Sequence, residues 1–301
     1  MSPLAGRVAI VGGGLMGHGI AQVLAGRGMD VVVHDPVATV LGTVRQRIAS
    51  NISSLGGDAT VAGTVALEPD LERAVSEADW VFEAAPENLE LKQELFRRID
   101  SAAPASAVLA TNTSVIRVGE IAQRAVNRGR IVGTHWWNPP YLVPLVEVVQ
   151  AADTTAETVE RTMALLRALG KTPVHVRRDV AGFVGNRLQH ALWREAFALI
   201  DAGVCDPETV DTVVKLGFGY RLAVLGPIEN ADLIGLDLTL DIHDYILPRL
   251  EQPSEPSPGL RERVRRGDLG MATGAGYRTW TKEQAAEVRQ RVLTHLAAAA
   301  D

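Results

Sequence analysis

The feature that most restricts this chain is an apolar run, Arg7-Val-Ala-Ile-Val11, that flows directly into Gly12-Gly-Gly14-Leu-Met-Gly17. Three glycines at G-x-G-x-x-G spacing after such a run read as a buried strand, a tight turn and the start of a helix. The first glycine permits the turn, the second lets a pyrophosphate approach the backbone, and the third lets helix and strand pack closely. The helix N-terminus then meets the phosphate charge with unsatisfied N–H groups. A second apolar run, Asp30-Val-Val-Val-His34, ends at Asp35, 18 residues past Gly17. A carboxylate there accepts bonds from the adenosine ribose hydroxyls and repels a 2′-phosphate. NAD rather than NADP is the predicted cofactor, with Gly12, Gly14, Leu15, Met16, Gly17 and Asp35 at its site.

Similar runs recur at Trp80–Glu83, Ala107–Ala110 and Ile131–His135, apolar on both faces, as in a parallel sheet covered by helices on each side. Alternating strands and helices predict a doubly wound α/β domain of Rossmann type over residues 1–180. Leu145–Val149 and Thr172–Val176 flank a helical stretch, Ala156–Leu169, and extend the sheet. From Gly182 onward the strand pattern stops. Phe183, Leu188, Leu192, Ala196 and Leu199 recur at helical spacing, and Asp206-Pro207-Glu208 supplies a cap, an N1 proline and a first-turn acid. Residues 181–301 are predicted to form an all-helical domain, interrupted by the Pro-rich loop 252–259 and by glycines 270, 274 and 276.

Thirty basic against 36 acidic residues, with no block of like charges, exclude a broad nucleic-acid surface. Val8–Gly26 carries no formal charge over 19 residues, but its six glycines and the lack of a basic flank argue against a membrane span or signal peptide. The single cysteine, Cys205, suits a reducing compartment, so a cytoplasmic location and no metal site are expected.

His135 closes a predicted parallel strand, at the edge where open α/β sheets place ligands. Glu147 interrupts an otherwise apolar strand, and a buried carboxylate needs a hydrogen-bonded donor nearby. Together they fit a general base and the group that orients it. Ser114 and Asn186 read, by position alone, as turn or cap residues. Glu87 and Lys92 read as a solvated helix face, and Trp136-Trp137 as packing.

With these residues in place, the chain resembles the 3-hydroxyacyl-CoA dehydrogenase family along nearly its whole length. The resemblance is carried by Gly12–Gly19, Pro86-Glu-Asn88 with Lys92, Asn112-Thr-Ser114, His135-Trp-Trp-Asn-Pro139, Leu145-Val-Glu147, Gly182-Phe-Val-Gly-Asn-Arg187, Gly235-Leu-Asp-Leu-Thr239 and Thr273-Gly-Ala-Gly-Tyr277. It implies a His135–Glu147 catalytic pair, substrate contacts from Ser114 and Asn186, and cofactor or substrate contact by Asn138. It also implies that Glu87 and Lys92 meet the nicotinamide ribose region, and that the helical domain forms a homodimer. The implied activity is NAD-dependent interconversion of an L-3-hydroxyacyl substrate and its 3-keto form, a CoA thioester such as 3-hydroxybutyryl-CoA, as in fatty acid metabolism.

Three departures point elsewhere within the family. The segment that carries basic CoA-binding residues in the acyl-CoA enzymes is here Asn51–Pro69, without Lys or Arg. Pro144 and Ala272 stand where those enzymes have lysines. Tyr141–Glu147 and Gly219-Tyr-Arg-Leu-Ala223 are similar instead to the branch containing L-gulonate 3-dehydrogenase (λ-crystallin) and carnitine dehydrogenase. A small free hydroxy acid is therefore the alternative substrate, with Arg221 either forked onto its carboxylate or a surface or interface arginine. A non-catalytic NAD-binding structural protein is the alternative of another class, opposed by the intact His135 and Glu147.

Overall fold

Strand residues alternate between two buried faces. Val8 and Ile10, Val31 and Val33, Val108 and Ala110 join one apolar cluster. Their neighbours Ala9 and Val11, Val32 and Leu109 join a second on the opposite side. A sheet buried on both faces must carry helices on both, which is the doubly wound arrangement. In the computed structural model, which describes residues 4–300, eight strands form this sheet. They are β1 (Arg7–Val11), β2 (Asp30–His34), β3 (Ala66–Glu68), β4 (Trp80–Glu83), β5 (Val108–Thr111), β6 (Ile131–Trp136), β7 (Leu145–Val149) and β8 (Thr172–Val176). Their order is β3-β2-β1-β4-β5-β6-β7-β8, so the chain reverses its direction of travel at β1/β4, where ligands of such sheets collect.

All pairings are parallel except β6 with β7. The link from Trp136 to Leu145 is too short for a parallel crossover, which needs roughly a dozen residues, so β7 turns back along β6. That reversal sets His135 directly across from Glu147 in the strand register. The edge strand β3 spans only three residues in a Gly- and Ala-rich stretch, too short for alternation to reveal it in sequence.

Two compact units result: residues 1–187 with 293–301, and residues 188–292. The packing units divide after Arg187, and the last described residues cluster with the first unit. The reason lies in the segment around Phe183–Gly185, which is bonded to β7 through Glu147. The second unit contains no strand among the described residues. Its helix Pro207–Leu216 begins as read, with Asp206 accepting from the Thr209 N–H and Pro207 in the first turn. Val8–Gly26, the uncharged stretch, is β1, the glycine turn and the helix Leu15–Ala25. No helix among the described residues is long and apolar enough to cross a membrane.

Candidate active site

Gly12, Asp35, Glu87, Ser114 and His135 lie at or just beyond the carboxyl ends of the parallel strands β1, β2, β4, β5 and β6. At the end of β1, Gly12 has φ +105°, and a Cβ there would stand 2.7 Å from the Ala84 carbonyl oxygen. A Cβ on Gly17 would lie 1.7 Å from the Gly12 carbonyl oxygen, so only glycine lets the helix Leu15–Ala25 pack at this distance. Gly14 has nothing within 4 Å on its Cβ side, and the helix it opens has no side-chain cap and no acid in its first turn. These are uncapped N–H groups beside open space, the requirement for a dinucleotide pyrophosphate. Asp35 Oδ2 accepts from the Gly13 N–H and Oδ1 from the Val37 N–H, both at 2.8 Å. Each oxygen retains acceptor capacity for a ribose hydroxyl. The residues present fit NAD.

His135 and Glu147 are both buried, and His135 Nδ1 lies 2.8 Å from Glu147 Oε2. A carboxylate can only accept, so Nδ1 carries the proton and Nε2 keeps a lone pair, the state a general base needs. Glu147 Oε1 accepts from the backbone N–H groups of Val184 (2.9 Å) and Gly185 (3.0 Å). Burial alone would raise the Glu147 pKa, but the His135 bond and these two N–H groups outweigh it and hold the carboxyl below its ordinary value. Two backbone donors carry no side-chain signature, which is why the sequence did not reveal them. The His135 ring is also fixed by Trp137 and Phe183, with centroids 5.1 and 5.8 Å away. Trp136 packs edge-on against Phe82 as expected, whereas Trp137 stands at the histidine.

Ser114 and Asn186 come together: Asn186 Nδ2 donates to the Ser114 carbonyl at 2.8 Å. Asn112 Oδ1 accepts from the Trp136 N–H at 3.0 Å, tying the end of β5 to the strand that carries His135. The Ser114 hydroxyl is left without a protein hydrogen bond among the described residues, free for a ligand oxygen.

Glu87 is exposed, but its carboxylate is bonded into the protein. Its Oε1 accepts the Thr113 hydroxyl at 2.5 Å and the N–H groups of Ser114 and Val115 at 3.0 and 3.1 Å. Burial would raise its pKa, but these donors and Lys92 together lower it. Lys92 is 1% exposed and donates to Glu83 Oε1 at 2.7 Å and to the Ala85 carbonyl at 3.1 Å. The solvated-face reading is therefore corrected for Lys92, because an ammonium among three protein acceptors is interior, while Glu87 stays at the surface. Lys92 reaches the site through Glu87, 3.6 Å away. Glu83, unnoticed in the sequence, anchors the group: its Oε2 accepts the Thr111 hydroxyl at 2.7 Å, and its side chain is fully buried. A glutamate closing an apolar run was its one signal.

Asn138 is exposed and precedes a cis proline. The strap after it is held by Lys171, whose ammonium donates to the carbonyls of Pro140 and Val143 at 2.5 and 3.0 Å. Burial there, helped by nearby Arg27, lowers the Lys171 pKa to about 8. Arg221 lies in the second unit, exposed at the end of the turn Phe218–Arg221. The described residues contain no cluster of His, Cys, Asp and Glu able to hold a metal ion.

Fold and site together define an NAD-binding oxidoreductase of Rossmann type with a buried histidine–glutamate pair at the sheet edge. The profile of the 3-hydroxyacyl-CoA dehydrogenase NAD-binding domain matches residues 7–180, and that of the C-terminal domain matches residues 182–280. The chain belongs to the 3-hydroxyacyl-CoA dehydrogenase family. It is 36% identical over 282 residues to 5-formyl-3-hydroxy-2-methylpyridine 4-carboxylate 5-dehydrogenase of Mesorhizobium japonicum, covering 92% of this chain and 91% of that one. Human mitochondrial hydroxyacyl-coenzyme A dehydrogenase is 36% identical, with 90% of each chain covered. Among solved structures, the pyridine carboxylate dehydrogenase superposes with a TM-score of 0.90 at 34% identity, over 97% of this chain and 96% of that one. The (S)-3-hydroxybutyryl-CoA dehydrogenase of Ralstonia eutropha gives 0.76 at 32%, over 91% and 99%.

Proposed function

We propose that this dehydrogenase oxidises the carbinol of a small, unesterified carboxylic acid, or reduces the matching carbonyl, rather than acting on a CoA thioester. The observation that carries the substrate class is the cation-free stretch Asn51–Pro69, built as the end of the helix Val44–Ser54, a short 3-10 turn and β3. CoA phosphates need local cations, and this segment offers none. The TM-score of 0.90 to a dehydrogenase named for a pyridine carboxylate, against 0.76 to the 3-hydroxybutyryl-CoA enzyme, supports the same reading. The exposed Arg221 guanidinium suits a free carboxylate.

NAD, when bound, supplies the hydride acceptor. His135 Nε2 takes the hydroxyl proton, and Glu147 stabilises the imidazolium that forms, an orientation-and-charge role. The Ser114 hydroxyl and the Asn186 side chain polarise the substrate oxygen. Steady-state rates on L-gulonate, L-carnitine and 3-hydroxybutyryl-CoA test the class. A free acid is expected to be turned over with the higher kcat/KM, and Arg221→Met to raise its KM about 10- to 150-fold, the worth of a charge-assisted hydrogen bond. Preferred turnover of the thioester would reinstate the acyl-CoA reading.

The second unit supports a homodimer. Leu216, Val224, Ile228, Leu233 and Leu236 are 64–90% exposed, and no residue of the helices Pro227–Ile234 and Leu236–Ile246 is buried. So much apolar surface calls for a partner, here a second copy. Sedimentation equilibrium is expected to give twice the 32.2 kDa chain mass, and a monomer at micromolar concentration would remove the proposal.

A further inference from the structure

Arg47 is a cation without a counterion beside the glycine turn. It projects from the helix Val44–Ser54, is half-buried, and forms no ion pair among the described residues. Its Nη2 donates to the Gly13 carbonyl at 2.5 Å and to the Val40 carbonyl at 3.2 Å. Its Nη1 lies 3.2 Å from His18 Nδ1, but that nitrogen is 2.6 Å from the Gly14 carbonyl. A carbonyl only accepts, so His18 Nδ1 donates to Gly14 and has no lone pair for Arg47. Among the described residues Nη1 is thus left without an acceptor, and Nε is buried with no partner. The His18 pKa is lowered, first by burial and in lesser part by the neighbouring Arg47 charge.

A half-buried guanidinium with unmet donors costs free energy in the protein alone. Its surroundings indicate what relieves that cost. The Gly13 carbonyl that it draws aside belongs to the turn whose next residue, Gly14, opens the uncapped helix onto empty space. Asp35, on the other side of Gly13, holds that residue's N–H. The peptide groups of Gly13 are therefore gripped from both ends, and the turn shows donors rather than a carbonyl oxygen to an arriving anion.

We propose that Arg47 is a positioning and charge-matching residue for the cofactor, fixing the Gly13 carbonyl away from the pyrophosphate and supplying positive charge that the phosphates neutralise. The glycine turn binds through backbone alone; Arg47 adds the side-chain cation. Because the pyrophosphate is the feature it serves, the effect separates by ligand. Affinities are measured on the full chain, for NADH by fluorescence and for ADP and adenosine by its displacement. Arg47→Met is expected to weaken NADH and ADP about 10- to 100-fold, as loss of a charge-assisted contact should, while adenosine changes by less than about 3-fold. Added salt, which screens charge, should weaken NADH binding to the natural chain more than to the variant. Arg47→Gln is neutral and keeps an N–H donor on a side chain two bonds shorter; the same selective loss of ADP is expected there. Equal losses for ADP and adenosine in either variant, or unchanged NADH affinity, would overturn the proposal and leave Arg47 a brace for the turn.

Discussion

His135→Gln is expected to lower kcat about 10²- to 10⁴-fold while NADH binds almost as tightly as before. The separation follows from the fold. The glycine turn and Asp35 stand at the ends of β1 and β2, whereas the histidine stands at the end of β6, so the cofactor site does not depend on the imidazole. Glu147→Gln should cost a comparable factor by a different route. Glu147 accepts three donors, the Val184 and Gly185 N–H groups on Oε1 and His135 Nδ1–H on Oε2. A carboxamide satisfies the two backbone donors with its oxygen and then turns its NH2 toward His135. Two donors cannot face each other, so the imidazole proton moves to Nε2 and the lone pair needed for proton removal is lost. Stopped-flow and steady-state rates with parallel NADH titrations distinguish these effects. Either variant turning over within about threefold of the natural chain would exclude the pair from proton transfer.

What the sequence made legible, and what it did not, divides by the kind of signal involved. Strands buried on both faces must be continuously apolar, so β1, β2 and β4 to β6 stood out, and a charge inside such a run, as at Glu147, marked chemistry. β3 had too few residues to show a period. The reversal of β7 lay in the length of the link after Trp136 rather than in any residue type. Lys92 shows the limit of pattern most clearly: five residues from Glu87 on a helix start, it has the spacing of a solvated pair, yet its ammonium is interior. Its partner, Glu83, comes from β4, and no local periodicity connects the two. Backbone contributions were the least visible, since the Val184 and Gly185 donors to Glu147 depend on chain direction alone.

The same buried pair gives the largest expected change in stability. Lys92→Met removes the ammonium from a site where Glu83 is fully buried, leaving a carboxylate with only the Ala85 N–H (2.7 Å) and the Thr111 hydroxyl (2.7 Å). Breaking one side of a buried ion pair typically costs about 3–5 kcal/mol, because the remaining charge has lost its solvent and its partner together. The loss should therefore belong to the stranded charge rather than to the missing lysine. A second substitution separates the two: in Glu83→Gln/Lys92→Met the side-chain oxygen still accepts the Ala85 N–H, the NH2 group donates to Thr111, and no net charge is buried. The double variant is expected to recover about 1–3 kcal/mol relative to Lys92→Met, whereas additive substitutions would leave it less stable than either single variant. Urea unfolding of the four chains, natural, both single variants and double, measures it. A Lys92→Met cost below about 1 kcal/mol, or simple additivity of the two substitutions, would show that Glu83 is not held by Lys92, and that the separate loops bearing Glu87 and Ser114 are kept in place by other contacts.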